Sequence, residues 1–140
     1  DAAFADRYEA YDYYERVKNG EVTLEGGWRV YSSGAGIGVR LIMQCFLGLR
    51  WESASIVIDP IIPATLSGLE VSLRLGGHPI HVIYHIKANG RGVSSAVLNG
   101  AKLDFIREEN PYRLGAVRID TEIFKSHLTA EGDVLVLEIE

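Results

Sequence analysis

Short runs in which apolar and polar residues alternate fill the second half of the chain and restrict its fold more than any other feature. Every second residue of Leu69–Leu75 is apolar, and the same period of two recurs in residues 80–86 and 135–139. A period of two is typical of strands with one buried face. Asn99-Gly100 lies between two apolar runs and is the strongest short-range signal for a tight hairpin. Regular short strands separated by glycine turns predict a mainly β fold, an antiparallel β-sandwich of the jelly-roll kind.

An apolar segment with a helical pattern, residues 35–49, precedes these strands and is interrupted only by Arg40 and Gln44. The two polar residues are four positions apart and therefore share one helix face. A helix that is apolar nearly all round has to be covered on most sides, and a domain with few other helices cannot do this. We therefore expect residues 1–52 to form the end of a helical domain and residues 53–140 to form the sandwich.

Two further short helices are predicted outside the strands. Residues 4–19 are expected to form a loop that passes into a short helix ending at Asn19-Gly20. Residues 121–128 are expected to form a small helix on the rim of the sandwich. Because the chain opens with Asp1 and not with Met, we also expect it to be a piece of a longer protein.

A stretch rich in glycine and hydroxyl side chains, residues 26–38, runs directly into the apolar helix. The backbone N–H groups of such a turn can point at one spot, where the helix N-terminus adds partial positive charge. The pattern predicts an oxyanion site for phosphate, bound by Ser32, Ser33 and Gly34. Further contacts to the anion or to the substrate are predicted from Arg29, Tyr31 and Arg40. An arginine at this place needs an anionic partner such as phosphate or a carboxylate.

Two other interpretations of the glycines stay open. A dinucleotide site requires the spacing G-x-G-x-x-G between a strand and a helix, within parallel βαβ units. The spacing in residues 34–38 is G-x-G-x-G, and the later strands alternate as in an antiparallel sheet. The second alternative is that the glycines only allow other helices to pack closely.

Composition and residue spacing argue against other partners. The chain carries a net charge of −5 without a basic cluster, which argues against nucleic acid. Four residues of a strand span about 13 Å, so His81 and His85 cannot both reach one zinc ion through bonds of about 2.0–2.1 Å. We expect no metal site, and we expect these histidines on the less buried face or hydrogen-bonded across strands. The lone Cys45 is expected to be a small buried residue, and the lack of disulfides agrees with the cytoplasm as the predicted location.

Six motifs spread over nearly the whole chain carry a family resemblance. They are residues 28–36 (WRVYSSGAG), 46–49 (FLGL), 58–63 (IDPIIP), 66–69 (LSGL), 97–100 (VLNG) and 109–113 (ENPYR). Together they resemble the C-terminal part of the cellobiose phosphorylase family of inverting glycoside phosphorylases. The Ser-Ser-Gly turn and the Asp-Pro-x-x-Pro segment are the most specific of the six.

The resemblance implies a fold and a place within a larger protein. Members of the family have an N-terminal sandwich, a large (α/α)6 barrel that holds the active site, and a small C-terminal jelly roll. Residues 35–49 would then be the last barrel helix and residues 53–140 the jelly roll. This agrees with the separate inference that the helix lacks its neighbours.

The resemblance also implies a reaction, in which inorganic phosphate cleaves a β-glucosidic bond and inverts the anomeric centre to give an α-sugar 1-phosphate. An aspartic acid of the family protonates the leaving oxygen, but it lies upstream of this region, so the chain alone is expected to be inactive. In cellobiose phosphorylases a Thr-Gly pair helps to hold the phosphate, and Ser32 and Ser33 match that pair by position. Ser33 replaces the glycine, and Ile37 replaces a tryptophan of the same turn. This form is more similar to the members that act on β-1,2-glucans, namely 1,2-β-oligoglucan phosphorylases and the phosphorylase-like end of cyclic β-1,2-glucan synthases.

The implied partners are a β-glucan oligosaccharide or disaccharide, inorganic phosphate as a substrate without any cofactor, and the remainder of the parent chain. A homodimer of the parent protein stays open. The alternative prediction, based on the strand pattern and the tyrosine-rich start, is a non-catalytic carbohydrate-binding sandwich.

Overall fold

The computed structural model describes residues 11, 13–23, 32–88, 90–129 and 132–140. The chain divides into two compact units, residues 1–35 and residues 36–140. In chain order, the helices and strands are α1 (Tyr13–Lys18), α2 (Ser32–Leu41), β1 (Leu49–Trp51), β2 (Ser55–Ile58), β3 (Leu69–Leu75), β4 (His78–Ile86), β5 (Val93–Leu98), β6 (Ala101–Lys102), β7 (Ile106–Arg107), β8 (Val117–Asp120), α3 (Thr121–Ser126) and β9 (Asp133–Ile139).

Helix α1 ends where the Asn-Gly pair predicts. The N–H of Gly20 donates to the carbonyl of Val17 (3.1 Å), and the N–H of Glu21 donates to the carbonyl of Arg16 (2.9 Å). Gly20 has a φ of +74°, a left-handed conformation that glycine adopts without a steric cost. The two hydrogen bonds and the left-handed residue form a Schellman motif, which satisfies the last carbonyls of the helix.

Helix α2 begins at Ser32, three residues before the predicted start, and ends earlier than predicted. After Leu41 the chain continues as one π-helical segment, Ile42–Phe46. Gly48 then takes a φ of +68°, and strand β1 begins at Leu49. The prediction of a helix to residue 49 was wrong because an apolar run does not distinguish the end of a helix from a buried strand.

The strands form two sheets whose inner faces share one core, so the predicted β-sandwich is confirmed. The four-stranded sheet has the order β1-β2-β8-β7, and the five-stranded sheet has the order β3-β4-β9-β5-β6. All pairs are antiparallel except β4 and β9, which run parallel. The side chains of the common core that are fully buried include Ile56, Ile58, Val82, Tyr84, Ile119, Leu135 and Leu137.

The predicted Asn99-Gly100 hairpin joins β5 and β6, and both residues have positive φ angles, 52° and 82°. The side chain of Asn99 also connects this hairpin to β9. Its Oδ1 accepts from the N–H of Val134 (2.9 Å), and its Nδ2 donates to Oδ1 of Asp133 (2.8 Å). The asparagine is therefore needed for its amide group as well as for its tolerance of a left-handed backbone.

Asp133 is a buried carboxylate whose fold-stabilising contacts lead to a testable pH dependence. Its Oδ1 also accepts from the N–H and the hydroxyl of Thr129 at 2.7 and 2.8 Å. Burial raises the pKa of Asp133, but the hydrogen bonds from Thr129 and Asn99 outweigh it and lower the pKa below its ordinary value. The ionised form therefore stabilises the fold above about pH 4, and this contribution is lost as the pH falls through the depressed pKa.

We expect Asp133→Asn to reduce the free energy of unfolding at pH 7 by about 1–3 kcal/mol, because buried donors lose a charged acceptor. We also expect the decrease in stability below about pH 4 to become shallower than in the unsubstituted chain. Urea unfolding at a series of pH values measures both effects. Asp104→Asn, at an exposed position, is the matched control and should change neither. A pH profile unaltered by Asp133→Asn would contradict this role.

Candidate functional site

The residues predicted to bind phosphate lie in the first turn of α2. Ser32 is the first residue of the helix, and Ser33 and Gly34 follow with exposed positions. The first N–H groups of an α-helix have no acceptor within the helix and point out of its N-terminal end. The amides of Ser33 and Gly34 belong to that set, so this end of α2 has the chemistry of an anion site. Arg29 and Tyr31 lie outside the described residues.

The glycines of α2 leave open space around the helix. A Cβ atom placed on Gly34, Gly36 or Gly38 would meet no atom within 4 Å among the described residues, apart from the backbone of the helix itself. Within the described part of the chain, nothing packs closely against these three glycines. The exposed apolar side chains of the same segment are Ile37, Val39, Leu41 and Ile42. The helix therefore presents an apolar surface, as its sequence predicts.

Arg40 is not directed at the first turn of α2. Its Nε donates to Oε1 of Gln44 at 2.9 Å, and both side chains lie on the face that their spacing predicts. Seven residues of α-helix separate Arg40 from Ser33, which corresponds to about 10 Å along the axis. The expectation of an anionic partner for Arg40 therefore differs from the structure, in which its partner is a neutral amide at an exposed position.

The histidines are hydrogen-bonded across strands, as predicted. His81 lies 3.1 Å from a carboxylate oxygen of Glu70 on β3, and His85 lies 2.8 Å from a carboxylate oxygen of Glu138 on β9. Within the described residues, no three histidine, cysteine or acidic side chains come together as metal ligands. Cys45 is exposed, so the prediction of a buried cysteine was wrong, because the apolar segment that carries it is largely uncovered in the described part of the chain.

The helical segment and the sandwich are joined by the backbone around the Asp-Pro-x-x-Pro motif. The N–H of Asp59 donates to the carbonyl of Gly48 (2.8 Å), and the N–H of Ile61 donates to the carbonyl of Phe46 (3.0 Å). A Cβ atom on Gly48 would overlap the backbone of Asp59 and Pro60. Two motifs that the sequence analysis singled out thus touch each other, and the contact requires glycine.

Tyr84 adds a side-chain anchor to this junction. It is fully buried, and its hydroxyl donates to the carbonyl of Leu47 at 2.9 Å. Burial raises the pKa of Tyr84 well above its ordinary value, so the hydroxyl keeps its proton for this hydrogen bond. Sequence reasoning placed Tyr84 on a strand but gave no signal for its polar partner, which lies 37 residues away along the chain.

Two ion pairs unite residues of separate motifs. Arg113 donates to Asp59 at 2.6 Å, and both side chains are largely buried. Arg118 on β8 pairs with Glu52 at 2.6 Å and also with Glu108. The hydrogen bond from Arg118 is the main cause that lowers the pKa of Glu52. Because Asp59 and Arg113 belong to two family motifs, the shared motif content was a usable signal for the first pair, whereas the second had none.

In the described part of the chain, every helix is too short or too polar to span a lipid bilayer.

Comparison with known proteins gives this chain a family. Residues 48–136 match the family described as the glycoside phosphorylase C-terminal domain. All 140 residues also align, with 35% identity, to a 1,2-beta-oligoglucan phosphorylase of Listeria innocua serovar 6a, and they span 12% of the length of that relative. The matched family region begins at Gly48, where the helical segment gives way to β1. Since the match covers more than half of the chain and includes both sheets, it confirms the resemblance, and the chain belongs to the glycoside phosphorylase C-terminal domain family.

Proposed function

We propose that this chain is the C-terminal part of a longer inverting glycoside phosphorylase and forms one wall of its phosphate site. The observation that carries the proposal is the 35% identity over the whole chain to a relative that is about eight times longer, since the chain covers 12% of it. The exposed apolar side chains of α2 support it, because a helix with apolar residues on several faces needs other elements to cover it. We propose that these elements belong to the remainder of the parent chain.

In the proposed reaction, an oxygen of inorganic phosphate attacks the anomeric carbon from the face opposite to the glycosidic oxygen. The bond from that carbon to the glycosidic oxygen breaks, and the leaving oxygen takes a proton from a carboxylic acid elsewhere in the parent chain. Inverting hydrolysis needs a second carboxylate to activate water, whereas phosphate is already an anionic nucleophile. The role proposed for this chain is to hold that anion with the amides of the first turn of α2 and the hydroxyls of Ser32 and Ser33.

The sugar proposed as substrate is a β-1,2-linked oligoglucan, because the relative is named for that class. We expect the parent protein to release α-glucose 1-phosphate from β-1,2-oligoglucans and phosphate, and to act much more slowly on β-1,4-linked oligoglucans. A cytoplasmic location and a homodimer of the parent remain proposals. Equal release from both linkages would reject the proposed substrate class and leave phosphorolysis in place.

The phosphate role is tested by adding a methyl group at the first turn of α2. Gly34→Ala has room among the described residues, and alanine favours a helix over glycine by about 1 kcal/mol. We expect the variant parent to fold normally and to show an apparent KM for phosphate raised about tenfold, which corresponds to about 1.4 kcal/mol of lost binding. The reason is that the methyl group would separate the amides from the anion. Initial rates at varied phosphate concentration measure the change.

Gly36→Ala is the matched control, because residue 36 lies on the opposite side of α2 and an added Cβ there also has room. It should leave the KM for phosphate unchanged. If both variants lower the thermal stability of the parent and neither changes the phosphate dependence, the glycines serve helix packing. Loss of the hydroxyl in Ser33→Ala should raise the same KM, while Ser53→Ala at another exposed serine should not.

A further inference from the structure

Three loops meet at one end of the sandwich and enclose a groove that the proposed phosphate site does not use. They are residues 59–64 after β2, residues 87–92 after β4, and residues 108–116 between β7 and β8. One part of the groove is a cavity of about 450 Å³ beside Pro60, Ile61 and Pro63. The other part is a cavity of about 560 Å³ beside the third loop. Arg113 lines both parts, and we refer to them together as the loop groove.

Hydrogen bonds hold the walls of the loop groove in place. The N–H of Leu114 donates to the carbonyl of Arg91 at 3.3 Å, which ties the third loop to the second. The guanidinium of Arg107 donates to the carbonyls of Val93 and Gly115, and so bridges the same two regions. The groove is therefore formed by the fold itself and does not depend on a bound partner for its shape.

The polar side chains of the loop groove are already engaged with each other or with the sandwich. Arg113 donates to Asp59 at 2.6 Å, and Glu108 accepts from Arg118. Oδ1 of Asn110 accepts from the N–H of Tyr112 at 2.9 Å. A carbohydrate site needs donors and acceptors that are available for sugar hydroxyls, and these three side chains are committed elsewhere. The groove therefore has the chemistry of an apolar docking surface rather than of a sugar site.

Apolar side chains of the loop groove face solvent. Ile61 is 59% exposed and Leu114 is 41% exposed, while Tyr112 next to them is 94% exposed. Exposed apolar side chains gathered around a concave surface are typical of protein interaction sites. The groove also lies next to the end of the helical segment, because the N–H of Ile61 donates to the carbonyl of Phe46.

We propose that the loop groove is a docking surface for the part of the parent chain outside residues 1–140, which inserts apolar side chains between Ile61 and Leu114. This inference rests on the proposed function, in which the chain is one part of a longer phosphorylase. A relative of which this chain spans only 12% supplies ample polypeptide for such a contact. Any polypeptide that covers the exposed residues Ile37 and Leu41 of α2 is attached close to the groove.

Hydrogen exchange tests the proposal by comparing the full-length parent with the 140-residue chain. We expect peptides covering residues 59–64 and 108–116 to exchange at least about tenfold more slowly in the parent, because docking suppresses local opening. The β3–β4 turn at Gly76 and Gly77 is the internal control. It lies at the far end of β4, about 26 Å away, and should exchange equally in both proteins. Equal exchange of the groove peptides would overturn the proposal.

Ile61→Asp in the parent should remove most of the added protection, since a carboxylate at the groove cannot be buried without a partner. Ile106→Asp is the matched control, because Ile106 is 77% exposed on β7 and does not line the groove. In the 140-residue chain, both variants should unfold like the unsubstituted protein. If the two variants have the same effect in the parent, the contact does not exist.

Other occupants give different results. Protection of the groove peptides in the 140-residue chain by added β-1,2-oligoglucan would overturn docking in favour of a sugar site. Protection that grows with the concentration of the 140-residue chain would indicate a second copy. A parent that phosphorolyses glucans without groove protection refutes only the docking surface. A parent with groove protection that does not consume phosphate refutes only the proposed reaction.

Discussion

Replacing Gly48 with alanine is expected to destabilise the chain by about 3–5 kcal/mol, enough to unfold many domains of this size. Two costs add at this position. Gly48 has a φ of +68°, where a residue with a Cβ is strained by about 1–2 kcal/mol. The new methyl group would also overlap the backbone of Asp59 and Pro60, and a backbone joined to β2 cannot move aside without breaking the Asp59–Gly48 hydrogen bond. Urea unfolding followed by circular dichroism measures the loss.

Gly77→Ala separates these two costs. Gly77 has a φ of +88°, but a Cβ atom there would meet nothing within 4 Å among the described residues. Its substitution should therefore cost only the backbone strain, about 1–2 kcal/mol. If both alanines cost the same, the close approach at Gly48 contributes nothing and the tight junction between helix and sandwich is refuted.

Phe124→Ala is expected to cost about 3–5 kcal/mol, because it leaves a cavity in the centre of the core. Phe124 is fully buried on α3, and its ring meets the ring of Trp51 edge-on, with centroids 6.1 Å apart and an interplanar angle of 89°. Such aromatic pairs contribute about 0.5–1.5 kcal/mol beyond the area they bury. The measurement is again urea unfolding, and the slope of the transition shows whether the folded state stays compact.

Ile123→Ala on the same helix is the control for Phe124→Ala. Ile123 is 45% exposed, and we expect its truncation to cost less than about 1 kcal/mol. The cap of α3 is unaffected in both variants, because Oδ1 of Asp120 accepts from the backbone N–H groups of Glu122 and Ile123. Similar losses for the two variants would mean that α3 packs differently on the sheet.

The strands of the sandwich could be predicted because their side chains alternate between core and solvent. In β9 and in most of β4 every second residue is buried, and the period of two is visible in the sequence itself. The same pattern carries no information on strand direction. The parallel pairing of β4 with β9 was therefore not predictable, since it depends on how the 46 residues from residue 87 to residue 132 cross the sandwich.

The candidate site was predictable only in part. Glycine and serine before an apolar run identified the N-terminal region of α2, because helix N-termini have a recognisable composition. The partner of Arg40 was not predicted correctly, since a sequence gives the charge of a side chain but not the group nearest to it. The pairing of Asp59 with Arg113 joins positions 54 apart, and periodicity, which is a local property, cannot detect contacts of that range.

The position of β9 inside its sheet has a consequence for how the molecule folds. The strand that comes last along residues 1–140 lies in the middle of the five-stranded sheet, between β4 and β5. Neither neighbour can complete its ladder of hydrogen bonds until residues 133–139 are in place, so the halves of this sheet depend on one another. Assembly then has to wait for contacts between distant segments, which makes folding slow and cooperative. During synthesis on a ribosome, this layer could close only after almost the entire domain had emerged.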